Sequence, residues 1–257
     1  MVTVLSDLKY IELPIHSACS AMRLQIRKTL AHVSSPFQDI LVIDSEDHGK
    51  CLILDNEIQS AESDHHLYDE EMLKLLKNDD KRLLILGGGD GYVAQKAISH
   101  NERLRITMVE MDAEVIRCSS QHLGQQIFEH PSVDIYTEDA LEFLQAARNA
   151  TDGKYDGIVC DLTDSPIGKR ELDDFSSFYE QLIPISVRSL TPDGWFSIQA
   201  GASKTNNHHI NAVSILEKLL LRHFRHVFRS DLLIPSYGEE CAFLAATRKN
   251  NLDETSR

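Results

Sequence analysis

Four carboxylates give this chain its chemistry. Asp90, Glu110, Asp139 and Asp161 each stand at or just beyond the end of an apolar run: Leu83–Leu86 with the glycines after it, Arg105–Val109, Val133–Tyr136 and Gly157–Cys160. In an open α/β sheet, ligands bind beyond the carboxyl ends of the strands, where the strand order reverses. Acids gathered at that edge favour a cationic ligand. Carboxylates held close together also raise one another's pKa, which suits one of Asp90, Asp161 and Asp164 to act as a general base. Asp164 also reads as a residue that merely caps a turn.

The glycine turn narrows the class of ligand. Leu86-Gly87-Gly88-Gly89-Asp90-Gly91 runs from a buried strand into a helix, and such a turn lets the backbone approach a nucleotide closely. The dinucleotide spacing GxGxxG fails from Gly87, because Tyr92 sits where the third glycine belongs, and fits from Gly89 only in the looser form ending at Ala94. A carboxylate at Asp90 is unsuited to a diphosphate. A nucleoside without phosphate that carries positive charge suits the turn better, and sulfonium-bearing adenosine compounds meet that description. Glu110 lies about twenty residues past the turn, where a carboxylate holds ribose hydroxyls, and Asp139 is placed to accept from the adenine amine.

The elements that must position these groups follow from periodicity. From Leu83 onward, short apolar strands alternate with helical patterns, the signature of a Rossmann-like, doubly wound α/β sheet. Helices are expected over Val93–His100, Ala113–Leu123, Leu141–Ala150, Phe178–Leu190 and His208–Phe224. Arg170–Asp174 reads as an acidic loop, Thr191–Gly194 as a turn before a strand Trp195–Gln199, and His226–Phe228 and Cys241–Ala246 as two last strands around a loop, Leu232–Glu240. Before Leu83 the texture differs. Asp39–Asp44 and Lys50–Asp55 form a hairpin, Arg23–Val33 is a strand or short helix, and Tyr68–Lys77 has the apolar spacing of an amphipathic helix. Residues 1–62 are read as a small antiparallel β domain and residues 63–257 as the nucleoside-binding domain.

Composition sets outer limits. The chain has 257 residues, a formal net charge of −14 and 42% hydrophobic residues, an ordinary globular balance. That charge disfavours nucleic acid and anionic membranes as partners. The first residues carry no basic start with an apolar stretch, and no run reaches membrane length, so a cytoplasmic location is expected. Five cysteines without CxxC spacing indicate neither a zinc site nor a disulfide framework. His65-His66 and His208-His209 look like metal pairs, but sequence neighbours point apart on a helix, so solvated histidines and no metal are expected. Trp195 is read as packing.

Several motifs together carry a family resemblance. Leu-Gly-Gly-Gly-Asp-Gly (86–91), Val-Glu-Met-Asp (109–112), Asp-Leu-Thr-Asp (161–164), Phe-Ser-Ser-Phe-Tyr (175–179) and Ile-Pro-Ser-Tyr (234–237) resemble the aminopropyltransferases, the spermidine and spermine synthase family. Phe37–Ile40, Gly49–Asp55, Ile58-Gln59 and Asp64 followed by Tyr68 fit the same family, so the likeness spans roughly residues 23–247. It implies a class I methyltransferase-type fold and transfer of an aminopropyl group from decarboxylated S-adenosylmethionine to a primary amine, with release of methylthioadenosine. The donor is a co-substrate, with no permanently bound cofactor. By the family pattern Asp161 is the base, Asp90 and Asp164 bind amine nitrogens, and Glu110, Asp139, Ala140 and Gln38 hold the nucleoside with Gly87, Gly89, Gly91 and Pro166. Tyr68, Asp69, Gln199 and Tyr237 would meet the acceptor.

The chain also departs from that pattern. Tyr92 replaces a glycine, Asp69 stands where His or Gln is usual, Ser165 intrudes before Pro166, and Gly238-Glu239-Glu240 replaces Pro-x-Gly. Putrescine is the expected acceptor, giving spermidine; spermidine itself, as in spermine or thermospermine synthases, is the alternative. An S-adenosylmethionine-dependent amine N-methyltransferase and a polyamine-binding partner subunit are the rivals from other classes. The exposed hairpin edges of the small domain lead us to expect a homodimer or homotetramer.

Overall fold

The computed structural model describes residues 9–15, 20–146, 154–162, 169–204 and 212–248, with the backbone alone over 169–173. Two sheets make up the fold. The first is an antiparallel meander of five strands in sequence order: β1 (Tyr10–Ile15), β2 (Ser20–Ser34), β3 (Asp39–Ser45), β4 (Gly49–Leu54) and β5 (Glu57–Ala61). Arg23–Val33 is therefore strand, and its polar-apolar alternation suits a sheet with one covered face. Asp55 and Asn56 both take positive φ (46° and 67°) in the two-residue turn from β4 to β5, the left-handed conformation that a tight hairpin demands. Pro14 is tolerated because β1 is an edge strand.

The second sheet has seven strands: β6 (Arg82–Gly87), β7 (Arg105–Val109), β8 (Val133–Tyr136), β9 (Tyr155–Asp161), β10 (Leu190–Ala202), β11 (His226–Ile234) and β12 (Glu239–Thr247). Their spatial order is β8-β7-β6-β9-β10-β12-β11, parallel through β10, with β12 antiparallel to both of its neighbours. This is the class I methyltransferase-like arrangement. The order reverses between β6 and β9, so the carboxyl ends of those two strands open a crevice.

Helices cover both faces: α1 (His65–Met72), α2 (Tyr92–His100), α3 (Ala113–Cys118), α4 (Ala140–Gln145), α5 (Lys169–Ser189) and α6 (Ala212–Leu221). One face packs Phe143, Tyr179, Leu182, Leu216 and Leu220 against the strands; the other packs Met72, Val93, Ala97 and Trp195. Trp195 is core, as expected, with its indole N–H donating to Asp80 at 2.9 Å. A third cluster joins the sheets, setting Ile40, Val42 and Leu52 against Tyr92, Val115 and Leu123. Among the described residues, no helix is long and apolar enough to cross a membrane.

Four expectations need correction. Arg170–Asp174 is the first part of α5 and not a loop. The Thr191–Gly194 turn is absorbed into β10 as a register shift against β9 between Leu190 and Trp195. The helix expected over Ala113–Leu123 spans those residues but is α-helical only to Cys118, where it widens into one π turn, Ser119–Leu123, closed by Gly124 at φ +80°. The loop 232–240 shrinks to a single turn, Pro235–Tyr237, because β11 and β12 pair along nine positions, His226–Ile234 with Thr247–Glu239.

Candidate active site

The crevice at the strand reversal is a cavity of about 530 Å³ between the two sheets. Its floor is the glycine turn. Gly87 must lack a side chain, since it sits at φ +83° and a Cβ there would lie 2.1 Å from the Asp161 carbonyl oxygen. Positive φ recurs at Gly88 and Gly91, while Gly89 has an ordinary φ, so the alternation read from sequence is not the one the backbone uses. Gly91 is off the cavity. It starts α2 at φ +81°, where a Cβ would press on Ile127 and Phe128, and so it serves the helix start and not the ligand.

The end of the cavity beyond β7 and β8 is lined by groups already committed to the backbone. Asp139 caps α4, its Oδ1 accepting from the Leu141 and Glu142 amides at 2.9 Å each, and thus stands just past β8 and not on it. Glu110 follows β7; its Oε1 accepts from the Asp112 amide at 3.0 Å, and burial pushes its pKa up to about 7, with Asp112 adding repulsion. Gln38 arrives from the first sheet and donates to Asp112 Oδ2 at 3.0 Å, beside Ser35 Oγ at 2.6 Å on the same oxygen. These bonds tie the two sheets together at the cavity wall.

The opposite end is organised differently. Asp161 ends β9, next to β6, and its Oδ1 accepts from the Tyr68 hydroxyl. Burial, then the Asp90 charge, pushes the Asp161 carboxyl up to about 7. Asp90 accepts from the Tyr92 amide at 3.1 Å, and burial, then Asp69, pushes it up to about 6. Tyr68 in turn is raised well above an ordinary phenol by burial and by Asp161, so it stays a donor. Tyr237 sits nearby, its hydroxyl donating to the Gln59 carbonyl, and its turn is latched by Asp64, which accepts from Ser236 N at 2.7 Å and Ser236 Oγ at 2.8 Å.

Of the residues singled out from sequence, Gln38, Tyr68, Gly87, Gly89, Asp90, Glu110, Asp139, Ala140, Asp161, Gln199 and Tyr237 all line this one cavity. Asp164 and Pro166 lie outside the described residues. Asp69 is not on the cavity; it is buried behind Asp90, paired through Oδ2 with His65 Nδ1 at 2.8 Å. His65 is not a solvated histidine either. Its ring stacks on Tyr92 at 3.7 Å between centroids, 15° from parallel. The i, i+4 spacing of His65 and Asp69 on one helix was the available signal for this pair. His208-His209 lies outside the described residues. Tyr92 leaves the cavity free because it packs between the sheets. Residues missed from sequence are Gly88, Leu54, Glu57, Gln59, Phe178 and Glu239, which also line the wall. The repeated appearance of β4, β5 and the turn between them in that wall could only be read once the two sheets were seen to face each other.

A cavity lined by Glu110 and Asp139 at one end and by Asp90, the raised Asp161 carboxyl and Tyr68 at the other agrees with what sequence comparison finds. Residues 66–256 match the spermine/spermidine synthase domain, and residues 14–62 match the spermidine synthase tetramerisation domain. The chain is 31% identical over 238 residues to polyamine aminopropyltransferase 1 of Hyperthermus butylicus, covering 90% of this chain and 79% of that one. It is 30% identical over 239 residues to spermidine synthase of Schizosaccharomyces pombe, covering 91% and 76%. A crystal structure of spermidine synthase in complex with the transition state analogue AdoDATO matches the fold with a TM-score of 0.81 at 19% identity, over 95% of this chain and 82% of that one. The chain belongs to the spermine/spermidine synthase family and is an enzyme of the polyamine aminopropyltransferase type.

Proposed function

We propose that the enzyme transfers an aminopropyl group from decarboxylated S-adenosylmethionine to putrescine, giving spermidine and methylthioadenosine. The observation that carries this reading is the single cavity in which Glu110 and Asp139 stand at one end and Asp90, Asp161 and Tyr68 at the other. Glu110 binds the ribose hydroxyls, the free oxygen of Asp139 accepts from the adenine amine beside Ala140, and Gln38 closes that end. Asp90 pairs with the ammonium of the donor's aminopropyl arm. An intact S-adenosylmethionine would bring its carboxylate toward that charge and be repelled. Gln199 and Tyr237 line the acceptor side, and by the family pattern Asp164 joins them there while Pro166 goes with the nucleoside.

The reacting amine enters as an ammonium, with a pKa of about 10. Asp161, raised to about 7, removes one proton. That transfer is uphill by roughly 3 units, about 4 kcal/mol, and the adjacent sulfonium offsets part of it by disfavouring a second cation. The free amine attacks the methylene next to sulfur in line. A C–N bond forms as the C–S bond breaks, its electron pair neutralising the sulfonium, and the product leaves as a secondary ammonium. Fixed carboxylates that orient two cations supply much of the rate. Glu239 at the acceptor wall supports a second reading, spermidine as acceptor, since a longer amine brings a further charge to that carboxylate.

The division at residues 62 and 63, the cytoplasmic location and assembly through the first sheet as a homodimer or homotetramer belong to the same proposal. Incubation with decarboxylated or intact S-adenosylmethionine against putrescine, agmatine, cadaverine and spermidine, with mass-spectrometric detection, tests it. Aminopropylated putrescine from the decarboxylated donor alone is the expected product. Aminopropylated spermidine alone would move the acceptor to the second reading, and a methylated amine from the intact donor would overturn the donor assignment.

A further inference from the structure

Asp69 has a chemistry that the substrate cavity does not use. Its carboxylate is 2% exposed, an unusual place for a charge, and it faces a second, smaller cavity of about 10 Å³ shared with Asp90, Tyr68 and His65. Buried carboxylates persist when something pairs with them. Here the partner is His65, one helical turn earlier, at 2.8 Å, and His65 is itself clamped flat against Tyr92. Both departures from the family pattern, Asp69 and Tyr92, therefore belong to one unit.

We propose that Asp69, hydrogen-bonded to His65, is a positioning residue that sets the charge state of the Asp90–Asp161 pair from behind the substrate cavity. The inference rests on the aminopropyl-transfer reading for its kinetic consequence, and on the shared small cavity for its electrostatic one. Asp69 and Asp90 line the same small cavity, and Tyr68, the neighbour of Asp69 on α1, donates to Asp161. A carboxylate so placed repels a negative charge on both.

Other charges reach Asp69 as well. His66 is on the same helix, and Lys96 of α2 lies near but is paired with Glu70 at 2.8 Å. Tyr92 of α2 is held neutral by burial and by Asp90. Glu62 and Asp64 precede α1, the latter occupied by Ser236, while Tyr237 and Cys241 are raised by burial and stay neutral. Glu110 and Asp161 are the remaining acids on the far side of Asp90. His65 is thus the nearest partner opposing the burial of Asp69, whose carboxyl still lies above the ordinary aspartate range, and without His65 burial acts on it unopposed at that oxygen.

The test is a carboxyl titration by NMR on full-length protein labelled with 13Cγ-aspartate, the Asp161 resonance being assigned by its loss in Asp161→Asn. Asp69→Asn is expected to lower the Asp161 midpoint by roughly one pH unit. His65→Gln is expected to lower it by less, and the double variant to match Asp69→Asn alone, because His65 acts through Asp69. The acid limb of the kcat/KM profile for aminopropyl transfer should move by the same amount. An unmoved or raised midpoint in Asp69→Asn, or a further shift in the double variant, overturns the proposal. A role confined to scaffolding would lower kcat equally at every pH. If Asp69→Asn fails to fold, an unmoved midpoint in His65→Gln overturns it alone. Wild-type protein that makes no aminopropylated amine would overturn the proposed function, while the titration would still decide this inference.

Discussion

The two ends of the cavity use the same residue types in opposite ways. At the nucleoside end, Asp139, Asp112 and Glu110 are tied by backbone amides at 2.9–3.0 Å. Their geometry is fixed before any ligand arrives. At the end assigned to the reaction, Asp90 and Asp161 lie together with Asp69 behind Asp90, and they have one amide on Asp90 and a phenol on Asp161. Burial raises Glu110 to about 7 as it does Asp161, so the two ends differ in the partners they offer, amides at one and a phenol with neighbouring acids at the other.

The contrast is broken most forcefully at Asp161. Asp161→Asn is expected to lower kcat by about 10³-fold while methylthioadenosine binds within about threefold of wild type, because general-base loss typically costs 10²–10⁴. Calorimetric titration with methylthioadenosine checks the second half, and equal loss of both would make Asp161 a binding residue. Tyr68→Phe is expected to cost about 10- to 100-fold, since a hydrogen bond to a charged group contributes about 1.5–3 kcal/mol. It also gives a sign. Tyr68 donates to Asp161 and favours its ionised form, so the acid limb should move to higher pH, opposite to Asp69→Asn.

A stability experiment sharpens the same comparison. Asp161 and Asp90 titrate at about 7 and about 6 when folded, above the ordinary Asp value of about 4. The folded state holds those protons more tightly than the unfolded chain, so these groups stabilise most below about pH 4 and lose that contribution as pH rises through 6 to 7. The unliganded protein should therefore melt higher at pH 5.5 than at pH 7.5 by their effect. Asp161→Asn should remove part of that difference and raise Tm at pH 7.5 by a few degrees, as about 1 kcal/mol gives in a chain this size. A fall in Tm would show that Asp161 is held by partners that outweigh its burial. The smallest effect is expected at Asp139. Asn caps a helix as well as Asp, so Asp139→Asn should cost under about 0.5 kcal/mol by chemical denaturation, against about 1 kcal/mol for Asp139→Ala.

Legibility from sequence followed the same divide. The strand ends that deliver Glu110 and Asp161 were readable because a buried parallel strand is a short apolar run with a sharp end. The β3–β4 hairpin was readable for a similar reason, with Gly49 at φ +67° closing its turn. Asp69 was misplaced because its family position implied contact with substrate, while its burial depends on α1 packing against α2, which no local pattern records. His65 looked polar and solvated for the same reason. β11 was cut short because Arg229 and Asp231 break its apolar run, yet at i and i+2 they share one face of the edge strand and form an ion pair there at 2.9 Å. Thr191–Gly194 carries turn residues, and the sheet overrode them by bulging.

The Asp64 latch has a consequence of its own. One carboxylate, 4% exposed, bridges the start of α1 to the turn carrying Tyr237, and Tyr237 reaches across to the last strand of the first sheet. This wall of the cavity is therefore shared between the two sheets, as the opposite wall is through the Gln38–Asp112 bond. A change that tilts one sheet against the other alters the width of the whole crevice. Residues of the sheet interface that touch no ligand thereby bear on which molecules the cavity admits.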